Sequence, residues 1–136
     1  MELGSEAPGY REIWPSDIRI IVNGHETAVY RSPGDYGARR GKLTPEDWAS
    51  WSTQYGLLKT FSVRGIGSYI DDTLYSSKVR IGQLKLDEFP YISLRIAVDE
   101  TAGHCGGVNL FGEKFGDYPQ NIVMTVAYQG NSYQFT

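Results

Sequence analysis

Two glycine-broken loops hold most of the residues that could do chemistry. The first, RSPGDYGARRG over 31–41, sets Tyr36, Arg39 and Arg40 close to Asp35. An arginine presents a planar fork of donors that grips carboxylate or phosphate at two points, and arginine with aspartate also grips vicinal sugar hydroxyls. The second, NLFGEKFGDYPQN over 109–121, offers Asp117 and Tyr118 with Asn109, Phe111, Phe115, Gln120 and Asn121. Aromatic plates flanked by amide and carboxylate groups suit a sugar, whose C–H faces stack on rings while its hydroxyls need directional partners. The candidate ligand-binding residues are therefore Tyr36, Arg39, Arg40, Asp117 and Tyr118, expected to face one concavity. The competing reading makes the first loop a plain turn at Pro33-Gly34, with Asp35 ion-paired to Arg39 or Arg40. In that reading Phe111 and Phe115 are core and Asp117 is a turn former.

Other residues add less. Trp14, Trp48 and Trp51 are either stacking platforms or buried scaffold. Lys59, inside the apolar run YGLLKTFSVR, is expected to point away from the sheet. Asp71-Asp72 could suggest calcium, but without DxDxDG spacing a hairpin turn suits it better. Catalysis finds little support. His104 and Cys105 are adjacent, and neighbours on a strand point to opposite faces. His25 stands beside a turn, and no GxSxG, HExxH or phosphate-binding glycine loop is present. The reading is of a non-enzyme that needs no cofactor and no metal.

The chain that must position these loops has 136 residues, a length suited to one domain over 1–136. Its net charge of −3 argues against a free-standing nucleic-acid binder and offers no polybasic surface for anionic lipid. A single cysteine forms no internal disulfide, and no apolar run reaches the ~20 residues of a membrane span. The N-terminus lacks the basic head and apolar centre of a signal peptide, so a cytoplasmic protein is expected.

Ten Tyr, three Trp and five Phe beside sixteen Gly fit a β-protein rich in turns. DIRIIVN (17–23) alternates, Asn23-Gly24 is a tight-turn dipeptide, and ETAVYR (26–31) is the returning strand. GSYIDD (67–72) and LYSSKVRIG (74–82) read as a second hairpin. Further strands are expected in 55–64, 90–98, 106–112 and 121–128. LTPEDW (43–48) carries the start signature of one short helix, with Thr44 as cap and Pro45 at the first helical position. Residues 129–136 read as a tail, and MELGSEAPGY begins as if already inside a strand. Short strands spaced by turn signals, without long helices, predict an all-β antiparallel sandwich of the jelly-roll or galactose-binding-like type.

The blocks SEAPGY…WPSDI…VNG, SPGDYGARRGKLTPEDW, TQYGLLKT, PYISLRI and NLFGEKFGDYPQNIVM resemble, in the same order, the C-terminal domain of certain bacterial transcriptional regulators. Those regulators carry an ArsR-type winged helix-turn-helix at the N-terminus. The resemblance spans roughly residues 5–128, and WASWST and HCGG depart from its pattern. It implies an effector-sensing domain whose DNA-reading helices lie in another part of a longer chain. It supplies no binding residues. The expected partner is a small polar effector, a sugar being the leading class, with DNA engaged only through the missing N-terminal domain and with no membrane. A homodimer is compatible with this reading. The alternatives are a free-standing carbohydrate-binding module and a structural dimerisation domain.

Overall fold

The computed structural model describes residues 1–128 and 131–135. In chain order the first strands are β1 (Glu2–Gly4), β2 (Ser16–Val22), β3 (His25–Ser32), β4 (Leu57–Leu58) and β5 (Phe61–Val63). Then come β6 (Ser68–Ile70), β7 (Thr73–Ser76), helix α1 (Ile81–Leu84), β8 (Leu94–Ala97), β9 (Asn109–Leu110), β10 (Met124–Tyr128) and β11 (Asn131–Phe135). Among the described residues the protein is all-β but for that one short helix. Every strand pairing is antiparallel, in sheets ordered β4-β1-β9, β3-β2-β8, β5-β6-β7 and β10-β11.

Alternation places the core. Ile18 and Ile20 share one side of β2 and are almost wholly buried, as period-2 geometry requires. β2 turns into β3 through Asn23 and Gly24, at φ 47° and 79°, the left-handed region where asparagine and glycine are tolerated. On the other edge of β2, β8 sets Ile96 opposite Ile20. Leu3, Ile18, Ile20 and Tyr30 form the buried centre, with half-buried Phe61, Ile70, Leu94, Ile96, Val98 and Val108 against it. Tyr30 meets Phe61 edge-on at 5.9 Å, and burial pushes its phenol up to about 12. The second hairpin turns at Asp71 and Asp72, both at positive φ. Asp71 accepts hydrogen bonds from Lys59 Nζ and the Thr60 N–H, both at 2.9 Å, so this turn is occupied by protein donors.

Sequence expectations change in several places, among them 74–82, which gives β7 and then α1 rather than one strand. Residues 43–48 form turns, and the helix is α1 instead. Thr44, expected to cap, donates to the Gln54 carbonyl and accepts from the Gly116 N–H, while Arg40 takes the Pro45 and Trp48 carbonyls. Long-range partners thus win over the local cap. The run 55–64 divides at Lys59 and Thr60 into β4 and β5, which join different sheets. Within the expected tail, Asn131–Phe135 is a strand paired along β10, while Gln129, Gly130 and Thr136 lie outside the described residues. Among the described residues no helix is long and apolar enough to cross a membrane.

Candidate functional site

The two loops meet. Arg39 lays its fork on Asp117, with Nη1 to Oδ1 at 3.0 Å and Nη2 to Oδ2 at 2.6 Å. The Lys42 N–H adds a third bond to Oδ1 at 3.1 Å. Asp117 is nearly buried while Arg39 stays half open, and the guanidinium holds the Asp117 carboxyl below the usual carboxylate range. Behind the fork, the Arg39 guanidinium lies 3.8 Å from the centre of the Tyr55 ring, and Tyr55 stacks on Tyr36 at 5.4 Å. Burial raises both phenols.

Below this column lies a buried polar network. Glu2, on β1, is 1% exposed. Its carboxylate oxygens accept from the N–H groups of Gly56 at 2.8 Å, Asp117 at 3.0 Å and Tyr118 at 3.2 Å. Gly116, at φ 88°, passes so close that a Cβ there would fall 2.4 Å from Glu2 Oε2, so only glycine allows the loop to wrap the carboxylate. Asp35 is as buried as Glu2, yet it pairs with neither Arg39 nor Arg40. It accepts from the Ala7 N–H at 2.9 Å and from Thr53 Oγ1 at 2.7 Å, and burial raises its carboxyl above the ordinary range. Gln54, also buried, accepts from the Gly41 N–H and donates to the Ala49 carbonyl. Buried polar groups of this kind are costly unless satisfied, and here each has a partner.

The five expected ligand residues are thereby distributed. Arg39 and Asp117 satisfy each other. Arg40 donates at 2.6 Å to the Pro45 carbonyl and at 3.0 Å to that of Trp48, stapling that turn. Tyr36 is stacked on Tyr55 and Tyr118 is partly open. Arg39 and Arg40 line a recess of about 130 Å³ with Gly37, Ala38, Ser50 and Gln54, and Tyr36, Asp117 and Tyr118 are not among its walls.

The second loop, with the 48–53 turn and residues 6–9, lines a separate cleft of about 380 Å³. Trp48 stands edge-on to Phe115 at 5.0 Å, and its Nε1 donates to the Thr53 carbonyl at 2.9 Å. The indole is thus fixed by its polar end while 43% of the residue stays exposed. Ser52, Thr53, Asn109 and Glu6 supply the polar wall. Asn109 donates to the Ser5 carbonyl at 3.0 Å, which leaves its amide oxygen as a further acceptor. Phe111 is core, as the competing reading held, whereas Phe115 is half-buried and Trp48 and Trp51 are exposed rather than scaffold.

Sequence reasoning did not find Glu2. Its partners lie 54 to 116 residues away, so no local spacing could mark it. His104 and Cys105 diverge as their adjacency demands, His104 toward Asp17 and Cys105 Sγ toward the Asp99 and Ala102 carbonyls, each at 3.2 Å. Among the described residues no three His, Cys, Asp or Glu side chains gather to hold a metal ion. No family model, no curated protein and no solved structure matches this chain.

Proposed function

We propose that the chain is the effector-sensing domain of a cytoplasmic bacterial regulator, and that it binds a small polar ligand, a sugar fitting best, in the Trp48–Phe115 cleft. The carrying observation is an indole anchored by its N–H, with 43% of the residue exposed, beside hydroxyl, amide and carboxylate groups. A pyranose lays its C–H face on such a ring and directs hydroxyls to Asn109, Thr53, Ser52 and Glu6. Arg39, Arg40 and Asp117 act as positioning residues in this reading. The Arg39–Asp117 fork ties the loop bearing Phe115 to the rest, and Arg40 holds the turn bearing Trp48. Resemblance to ArsR-type regulators supports the regulatory role, with DNA read by a winged helix elsewhere in a longer chain. Ligand then acts by favouring one of two arrangements, which requires different affinity for each.

Titration with a panel of neutral and acidic monosaccharides, followed by tryptophan fluorescence and thermal shift, tests the cleft. We expect at least one sugar to quench fluorescence and raise the melting temperature. Trp48→Ala should weaken its binding about tenfold or more, while Trp51→Ala leaves it unchanged. If no sugar binds, or if the Trp48→Ala protein binds as well as the parent, the cleft is not the site. The isolated chain, acidic and without a recognition helix, should give no sequence-selective gel shift with duplex DNA. A native reading frame continuing upstream into a glycosidase rather than a winged helix would favour a carbohydrate-binding module.

A further inference from the structure

The C-terminal hairpin carries its apolar residues on one face. In the antiparallel pair β10-β11, Met124 opposes Phe135 and Val126 opposes Tyr133, and directly opposed residues project to the same side. With Tyr128 they make an apolar face, while Thr125, Ala127, Ser132 and Gln134 take the other. These two strands pair with each other alone among the described strands. A two-stranded hairpin is marginal in water unless its apolar face is packed. Here the segment carrying Leu86, Phe89, Pro90 and Tyr91 faces it across an open groove of about 580 Å³.

Phe89, Tyr91, Tyr128, Tyr133 and Phe135 are each more than half exposed. At ~150–250 Å² per aromatic side chain, they leave roughly 600 Å² of apolar surface open on each chain. That is at the upper end of what monomers ordinarily expose in one patch. Doubled across a two-fold axis it gives roughly 1,200 Å², the lower bound for a specific, stable protein interface. No charged residue lines the groove, although the chain as a whole is net negative. A two-fold interface sets each patch against its own copy, so an uncharged patch meets no like-charge repulsion there.

We propose that this face is a homodimer interface, in which the β10-β11 hairpin of one chain packs its aromatic face against the same face of a second copy. The site is independent of the Trp48 cleft, so either assignment can fail alone. Sedimentation equilibrium of the chain over a concentration series should show the average mass rising from 15.2 kDa towards twice that value. Tyr133→Glu should weaken association about tenfold or more, whereas Gln134→Glu on the opposite face should dimerise like the parent. Should Tyr133→Glu disturb the hairpin, as read by circular dichroism, Tyr91→Glu gives the same readout from the opposite wall, outside any strand. A parent chain that stays monomeric throughout overturns the proposal, and so do Tyr133→Glu and Tyr91→Glu proteins that dimerise as tightly as the parent. So does a monomer that takes up one equivalent of an apolar dye without associating.

Discussion

The loop end and the hairpin end of this molecule reach order by opposite means. At the loop end, Glu2, Asp35, Thr44 and Gln54 are buried, and backbone N–H and C=O groups from distant segments converge on them. Beside the buried Leu3 and Phe111, the loops there are held by directional bonds with a high penalty for leaving any unmade. At the hairpin end, Phe89, Tyr91, Tyr133 and Phe135 stand largely in water beside an unfilled groove. Directional networks fix where a side chain points, as the cleft needs for Trp48. Open apolar area fixes no orientation by itself and gains only when something covers it.

The sharpest way to break this comparison is Glu2→Ala. The buried Gly56 N–H and the part-buried Asp117 and Tyr118 N–H groups would lose their acceptor, and the loss should reach about 3–5 kcal/mol in a denaturant melt. Measured at a concentration where the chain is monomeric, Tyr91→Ser at the hairpin end should cost less than about 0.5 kcal/mol, because the residue is already 69% exposed there. Comparable losses from the two variants would erase the distinction.

Asp117→Asn comes next. It weakens the fork to Arg39 and the bond from Lys42, but Arg39 is half open and water can take up its donors. About 1–2 kcal/mol is expected, below the ~3–5 kcal/mol of a fully buried pair. Sugar affinity should fall with it, since Phe115 lies two residues before Asp117. A variant that loses stability and keeps full affinity would remove the positioning role.

The smallest effect is in pH dependence, and it separates two carboxylates of the same network. The folded protein lowers the Asp117 carboxyl, so its stabilisation is present above the unfolded value of ~3.9 and is lost as pH falls through the lower folded value. It raises the Asp35 carboxyl, so that group favours folding most below ~3.9 and less as pH rises through its folded value. Stability measured against pH in Asp117→Asn should lose the acid-side decline due to this group. Asp35→Asn should lose the decline on the rising side. Identical changes in both variants would mean that the two carboxyls share one environment.

Both hairpin turns and the core alternation were legible in the sequence. Asn23-Gly24 marked the first hairpin because positive φ needs such residues, and Asp71-Asp72 marked the second. Ile18 and Ile20 announced the core by alternation. Thr44-Pro45 misled, since the cap chemistry of Thr44 was diverted to Gln54 and Gly116, partners that spacing along the chain does not reveal. The tail misled in a related way, because the strand at 131–135 depends on pairing with β10.

Composition and period-2 patterning, on their own, determined that the chain is β-rich and where its hairpins turn. Both are local properties, set by backbone sterics and by which side of a strand a residue occupies. Tertiary structure alone decided that Arg39 grips Asp117 across 78 residues, that Glu2 is wrapped by a loop over a hundred positions away, and that Trp48 is left open beside Phe115. Those outcomes depend on which groups meet when the core closes. A buried donor takes whichever acceptor the fold brings to it, and distance along the chain carries no record of that choice.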